Sequence, residues 1–138
     1  MKRRIFIDSD VILDLLADRE PFNLHAKKLF GRIDKGDVEG FTSPLIFSNL
    51  FYLLRKQEGS AKAKSLLKKL RILLKVLPMD DKVLDSALAS SMQDFEDALQ
   101  YHCAANAGVD TIITRNGRDF KGVPGSFFTP EEYLKSML

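Results

Sequence analysis

The 138-residue sequence has little cysteine, no long apolar run and little net charge. Cys103 is the single cysteine, so no disulfide can form within the chain, and we expect a reducing compartment such as the cytoplasm. No apolar segment approaches transmembrane length, and the first is interrupted at Asp8, too early for a signal peptide. A net charge of +2 does not mark the whole protein as a polyanion binder. These absences favour one soluble domain over residues 1–138, with no membrane partner.

The charges that are present are unevenly distributed. The segment KAKSLLKKLRILLK at 62–75 contains basic residues and no acid, whereas the acids collect at 8–20, 80–97 and 110–119. This separation allows a basic face beside an acidic pocket, and the basic face is a candidate for steering an RNA backbone. The alternative interpretation is a solvated amphipathic helix, whose apolar side packs in the core or at a dimer interface.

Short apolar segments alternate with amphipathic ones along the chain. The patterns predict strands at 4–7, 38–43, 73–78, 110–114 and 126–128, and helices at 10–20, 21–36, 44–58, 60–72, 80–91, 94–108 and from 130 onward. We assign Asp10 to the cap of the first helix and Asp14 to its solvent side. This alternation predicts an α/β fold, three-layered α/β/α, with a mostly parallel sheet covered on both faces.

Polar residues follow two of the predicted strands. Asp8 comes directly after the first strand, and Asn116 and Asp119 follow the strand at 110–114. Because ligands of such sheets bind beyond the carboxyl ends of the strands, we expect two clusters distant in sequence to meet at one edge.

The stretch QDFEDALQ at 93–100 adds further acids. Asp94 and Asp97 are three residues apart and share one face of the predicted helix, whereas Glu96 points away from them into solvent. One interpretation is helix capping, with Asp94 as the N-cap and Asp97 three residues later. Capping explains one carboxylate better than two, and it does not account for Asp8, Asp10 or Asp119. Carboxylates that converge without Lys or Arg repel one another, and a bound hard divalent cation such as Mg²⁺ usually neutralises this repulsion.

Four segments carry a resemblance to a known family. RIFIDSDVILDLL, TSPLIFSNLFYLLRK, DFEDALQYHCA and TIITRNGRDF, in this order and spacing, resemble a PIN domain (PilT N-terminus-like), and especially the VapC-type toxins of toxin–antitoxin pairs. The resemblance spans nearly the whole chain. It implies a five-stranded parallel sheet between helices and an endoribonuclease that uses Mg²⁺, with Mn²⁺ as a substitute. It also implies an RNA substrate, a cognate antitoxin and a homodimer.

The resemblance also implies roles for individual residues. Asp8, Asp97 and Asp119 match the family's acids and are the expected metal ligands, and Asp94 is an additional catalytic acid. Asp10 stands where the family commonly has Asn. The candidates for supporting the ligands or contacting phosphate are Asp10, Asn49, Thr114, Arg115 and Asn116.

One position departs from the family pattern. Many members carry a Glu on the helix after the second strand, but this chain has Asn49 there and no acid between Thr42 and Gln57. We expect a weaker metal site, unless Asp10 or Asp94 compensates.

Two alternatives to the nuclease remain open. The first is a degenerate PIN domain that binds RNA or a protein partner without cleaving RNA, and Asn49 is its main support. The second is a phosphatase. FIDSDVIL resembles the Asp-x-Asp start of haloacid-dehalogenase-type phosphatases, although Ile12 stands where that motif requires Thr.

Overall fold

The computed structural model describes residues 2–138 and contains one five-stranded, all-parallel sheet. The strands are β1 (Arg3–Ile7), β2 (Val38–Thr42), β3 (Lys75–Val76), β4 (Thr111–Ile113) and β5 (Ser126–Phe128). The helices are α1 (Ser9–Leu16), α2 (Asn23–Lys35), α3 (Pro44–Glu58), α4 (Ser60–Leu73), α5 (Asp81–Ala89), α6 (Phe95–Asn106) and α7 (Pro130–Ser136), with a 3₁₀ turn at Gly117–Phe120. The predicted three-layer α/β/α fold is confirmed.

The strand order is β3-β2-β1-β4-β5, so β1 lies at the centre. Ile5, Phe6 and Ile7 of β1 are fully buried, as expected for a strand covered on both faces. Among the helices, α1 to α4 and α7 pack against one another, α5 packs mainly against α6, and α6 is joined to α3 by side-chain hydrogen bonds. Because β2 and β3 lie on one side of β1, and β4 and β5 lie on the other, the switch in strand order falls between β1 and β4. A ligand site is expected at such a switch in this class of sheet.

Several helix boundaries are set by residues that cap the first turn. Ser43 caps α3 through its side chain, with Pro44 at the first position, and Thr129 forms a capping box with Glu132 at the start of α7. Asp80 caps α5 in the same way as Ser43 caps α3. None of the helices within 2–138 is long and apolar enough to cross a membrane.

Three local predictions were wrong. The helix predicted at 10–20 ends at Leu16, because the chain turns at Asp18 with a φ of 52°. Its cap is Asp8, since the helix already begins at Ser9 and places Asp10 within its first turn. The strand predicted at 73–78 is reduced to Lys75–Val76, because α4 continues through Leu73 and only β2 is available for pairing.

The basic segment at 62–75 has one buried and one exposed side. Leu70 and Leu74 belong to the core, whereas Lys64, Lys68 and Lys69 are exposed. This apolar side is therefore core, and the solvated lysines form a basic face on α4.

Candidate active site

Asp8 is held at the carboxyl end of β1, next to β4. Its N–H donates to the Ile113 carbonyl over 2.9 Å, which fixes the backbone between the two strands. Asp8 Oδ1 accepts from the Ser9 N–H at 2.8 Å, and Oδ2 accepts from Thr114 Oγ1 at 2.9 Å. Burial raises the pKa of Asp8 above its usual value despite these hydrogen bonds, and the charges of Asp119 and Glu96 raise it further. Asp8 is thus oriented by the chain and lies within the field of other acids.

Asp10 ties α1 to the polar turn that follows β4. Its Oδ2 accepts from the Arg115 N–H at 3.0 Å and from Asn116 Nδ2 at 3.2 Å, and its Oδ1 accepts from the Val11 N–H at 2.7 Å. Thr114 Oγ1 also accepts from the Asn116 N–H at 3.0 Å. Burial, followed by the charge of Asp8, raises the pKa of Asp10 to about 6. The turn therefore supports both Asp8 and Asp10.

Asp94 and Asp97 occupy the start of α6. Asp94 is the N-cap, and its Oδ1 accepts from the Asp97 N–H at 2.9 Å, so the capping interpretation of Asp94 is confirmed. The side chain of Asp97 does not cap the helix. Burial raises the pKa of Asp97 to about 7, and the charges of Asp94, Asp8, Asp119 and Glu96 contribute. These five acids therefore share one electrostatic environment.

Asp119 lies in the 3₁₀ turn after β4 and is exposed. It lines a cleft of about 370 Å³ together with Asp94 and Asp97, and the cations Arg118 and Lys121 line the same cleft. Because the charge of Asp119 acts on both Asp8 and Asp97, the turn brings a carboxylate to the acids of β1 and α6.

Glu96 does not point away from the other acids, contrary to the sequence prediction. It is exposed, but its Oε1 accepts a hydrogen bond from Nδ2 of Asn49 on α3. Its charge raises the pKa of both Asp8 and Asp97. The sequence could not reveal this, because the helical position of Glu96 does not show which residue of another element lies beside it.

Arg115 is held by Asp14, a second residue whose environment was predicted wrongly from the sequence. Asp14 is 1% exposed and therefore not on the solvent side of α1. Arg115 donates to it through Nε at 2.7 Å and through a terminal nitrogen at 3.2 Å, while Arg19 pairs with it at 2.8 Å. The Arg115 guanidinium also lies 3.8 Å from the centroid of the Phe22 ring. These contacts hold the Arg115 side chain against Asp14 and Phe22. The three residues line a cavity of about 510 Å³, and none of the expected metal ligands lines it.

The donor set fits a hard divalent cation. Among residues 2–138, no ion pair involves Asp8, Asp10, Asp94, Asp97 or Asp119. Carboxylate oxygens are the ligands that Mg²⁺ prefers. No three described His, Cys, Asp or Glu side chains form a ready-made cage for an ion. This arrangement suits Mg²⁺, which keeps several waters alongside its carboxylate ligands.

Solved structures with a similar fold come from bacterial toxin–antitoxin systems. A toxin–antitoxin complex from Klebsiella pneumoniae has a TM-score of 0.69 and 19% identity, covering 91% of this chain and 97% of that chain. VapC20 from Mycobacterium tuberculosis, described as a Sarcin-Ricin loop cleaving toxin, has a TM-score of 0.68 and 17% identity, covering 83% and 92%. DNA-bound VapBC from Salmonella typhimurium has a TM-score of 0.68 and 16% identity, covering 93% and 97%.

At these identities the structural similarity establishes the fold alone. No curated protein sequence matches this chain significantly. A family model described as PIN domain matches residues 4–118, which is most of the chain. The chain belongs to the PIN domain family.

Proposed function

We propose that this chain is a metal-dependent endoribonuclease that hydrolyses RNA phosphodiesters and acts as the toxin of a type II toxin–antitoxin pair. The observation that carries the proposal is the proximity of Asp8, Asp97 and Asp119, which come from three different elements. The charge of Asp119 raises the pKa of both Asp8 and Asp97, and Asp97 and Asp119 line the same cleft. Family membership supports it, and so do neighbours of the same fold described as toxin–antitoxin complexes and as a cleaving toxin.

Asp8, Asp97 and Asp119 are the residues that would hold Mg²⁺, or Mn²⁺ in its place. When bound, the ion supplies positive charge that activates a water and offsets the charge that develops on the phosphate oxygens. The Ser9 N–H and the Thr114 hydroxyl orient Asp8 for this role, and Asp10 fixes the turn that presents Thr114.

The remaining polar groups of the cleft act on the substrate. Asp94 lies beside Asp97 and Asp119, where it can orient the attacking water and accept its proton. Arg118 and Lys121 line the same cleft and are placed to contact the RNA phosphates. Both contacts position the RNA backbone without reading its sequence.

The partner proposed for the toxin is a cognate antitoxin protein. The support is the description of several structures with this fold as complexes of toxin and antitoxin. A homodimer, which only the family resemblance implies, and a cytoplasmic location, which the single cysteine favours, remain predictions.

The test of the proposed function is RNA cleavage by the purified chain. We expect cleavage in Mg²⁺, none in EDTA, and a loss of at least about 100-fold in Asp8→Asn and Asp97→Asn. Asp85→Asn, an exposed acid on α5, is the matched control and should cleave like the wild type. Equal cleavage by Asp8→Asn and the wild type in Mg²⁺ would show that the proposed mechanism is wrong.

The second candidate function is binding of RNA or a protein without cleavage. It is favoured by Asn49, which stands where the family resemblance implies a Glu. If Asn49→Glu, which restores the acid, strongly increased RNA cleavage, the natural site would be shown to be a weakened catalytic site. The phosphatase alternative loses its support, because the chain belongs to the PIN family.

A further inference from the structure

The family resemblance implies a Glu on α3 that this chain lacks, but an acid of α6 contacts the residue found at that position. Asn49 is half-buried on α3, and the residue that its amide contacts, Glu96, stands in the first turn of α6. The two residues are 47 positions apart in the chain, so the contact depends on the tertiary structure. The amide and the acid together occupy the side of the site where the family resemblance implies one Glu.

The contact is fixed at a second point along the same two helices. Ser43, the cap of α3, donates through Oγ to Oε1 of Gln100 at 2.6 Å in a buried environment. Gln100 follows Glu96 by one helical turn, so the two side chains lie on the same side of α6. The buried Ser43–Gln100 bond is therefore a second contact between the start of α3 and α6, on the same side of α6 as Glu96.

The electrostatics of Glu96 require such a restraint. Its carboxylate is close enough to Asp8 and Asp97 for its charge to raise the pKa of both. An exposed glutamate that was free to move would turn toward solvent, because like charges repel. The amide of Asn49 is a neutral donor that holds the carboxylate in place, and a Glu at position 49 could not donate.

We propose that Glu96 is the fourth carboxylate of the divalent cation site and that Asn49 is its positioning residue. This inference rests on the proposed function and extends it. The site then keeps four acids, with the one expected on α3 supplied from α6. The ligand class is a hard divalent cation, Mg²⁺ or Mn²⁺.

The test measures Mn²⁺ binding directly, by electron paramagnetic resonance of free Mn²⁺ and by calorimetry, without RNA. We expect Glu96→Gln to weaken binding by about 10-fold or more, and Asn49→Ala by about 10-fold. Glu58→Gln is the matched control, because it removes the same charge from an exposed position on α3 and should bind like the wild type.

Two further variants separate positioning from a structural role. If Asn49 acts through Glu96, the double variant Asn49→Ala/Glu96→Gln should bind no more weakly than Glu96→Gln alone. Asn49→Glu should bind Mn²⁺ more weakly than the wild type, since it replaces the donor with a repelling charge. The unfolding temperature in EDTA should not fall in Glu96→Gln, which confirms that the fold is intact.

The outcomes distinguish this inference from the proposed function. If the wild type binds Mn²⁺ and Glu96→Gln binds as well as Glu58→Gln, the role of Glu96 is wrong and the nuclease proposal stands. Additive effects of the two substitutions, or tighter binding by Asn49→Glu, would overturn the positioning role. If the wild type binds no Mn²⁺, or Asp8→Asn binds it equally well, the proposed cation site itself is overturned.

Discussion

At the scale of single residues, the acids of the site are held in an unfavourable environment. Burial and neighbouring charges raise the pKa of Asp97 to about 7 and that of Asp10 to about 6. A raised carboxyl pKa means that the folded chain binds more protons than the unfolded chain between pH of about 4 and pH 7. The contribution of these acids to stability therefore falls as the pH rises through that window, so the metal-free protein should lose stability between pH of about 4 and pH 7.

Asp97→Asn removes a carboxylate whose pKa is raised to about 7. In EDTA at pH 8 we expect the variant to be more stable than the wild type by about 1 kcal/mol, a value reduced because the side chain is partly solvated and the helix dipole favours it. Urea unfolding at pH 5 and pH 8 measures this, and the gain should be smaller at pH 5, where the folded carboxyl is already protonated. A variant less stable than the wild type at pH 8 would contradict the repulsion. With Mn²⁺ added, the wild type should gain stability and the variant should not.

Asp14 is the second residue whose environment can be tested. Its buried carboxylate neutralises Arg19 and Arg115, so Asp14→Asn leaves two cations without their acid. We expect a loss of about 2 kcal/mol in the free energy of unfolding, since both arginines can partly turn to water. Asp18→Asn, which breaks an exposed pair with Lys27, is the control and should change little. Equal effects of the two substitutions would show that Asp14 has no structural role.

The individual residues also show what the sequence could reveal. Asp8 and Asp119 were predictable, because each follows a strand of a parallel sheet whose carboxyl ends meet. The contact of Glu96 with Asn49 and the burial of Asp14 against Arg115 were not, since both depend on partners that are distant in the chain. A helical pattern assigns a side chain to a face but does not show what packs there.

At the scale of elements, the start of α3 is joined to α6 by the Ser43–Gln100 hydrogen bond. Ser43→Ala removes a helix cap and leaves the buried oxygen of Gln100 without its donor. We expect a loss of about 2 to 3 kcal/mol, of which capping supplies about 1. Asp80→Ala removes the cap of α5 alone and should cost about 1 kcal/mol. If denaturant unfolding gave equal losses for the two variants, the Ser43–Gln100 bond would contribute nothing.

Two glycines offer a matched test of the packing between β2 and the helices. A Cβ on Gly40 of β2 would lie 2.6 Å from Leu74 Cδ2 and 2.9 Å from Ile33 Cδ1, so Gly40→Ala should cost about 1 to 3 kcal/mol. Gly31, within α2, has nothing within 4 Å of that position, and Gly31→Ala should stabilise by about 0.5 to 1 kcal/mol. Thermal unfolding of both variants checks the signs. A neutral Gly40→Ala would show that the side chains of Leu74 and Ile33 move aside freely.

The elements were predictable in type and less so in length. The capped and glycine-bounded α3 was located correctly, because Ser43, Pro44 and Gly59 mark its ends. The ends of α1 and β3 were missed, since the turn at Asp18 and the pairing of β3 with β2 alone are set by tertiary contacts.

At the scale of the whole molecule, the topology brings the acids together. With β1 in the centre and β4 beside it, the segments that follow both strands lie at one edge, and the cap of α6 faces the same cleft. The alternation of strands and helices predicted the parallel sheet. The strand order was not predicted, because connection lengths in this chain do not select one order.

The most direct test of the central claim is anomalous X-ray diffraction from crystals soaked in Mn²⁺. The account predicts a peak at ligand distance from Asp8, with Asp97, Asp119 and Glu96 around the ion, and no such peak in Asp8→Asn crystals. Carboxylates that stayed apart with no peak between them, in a protein that still cleaved RNA with Mn²⁺, would contradict it.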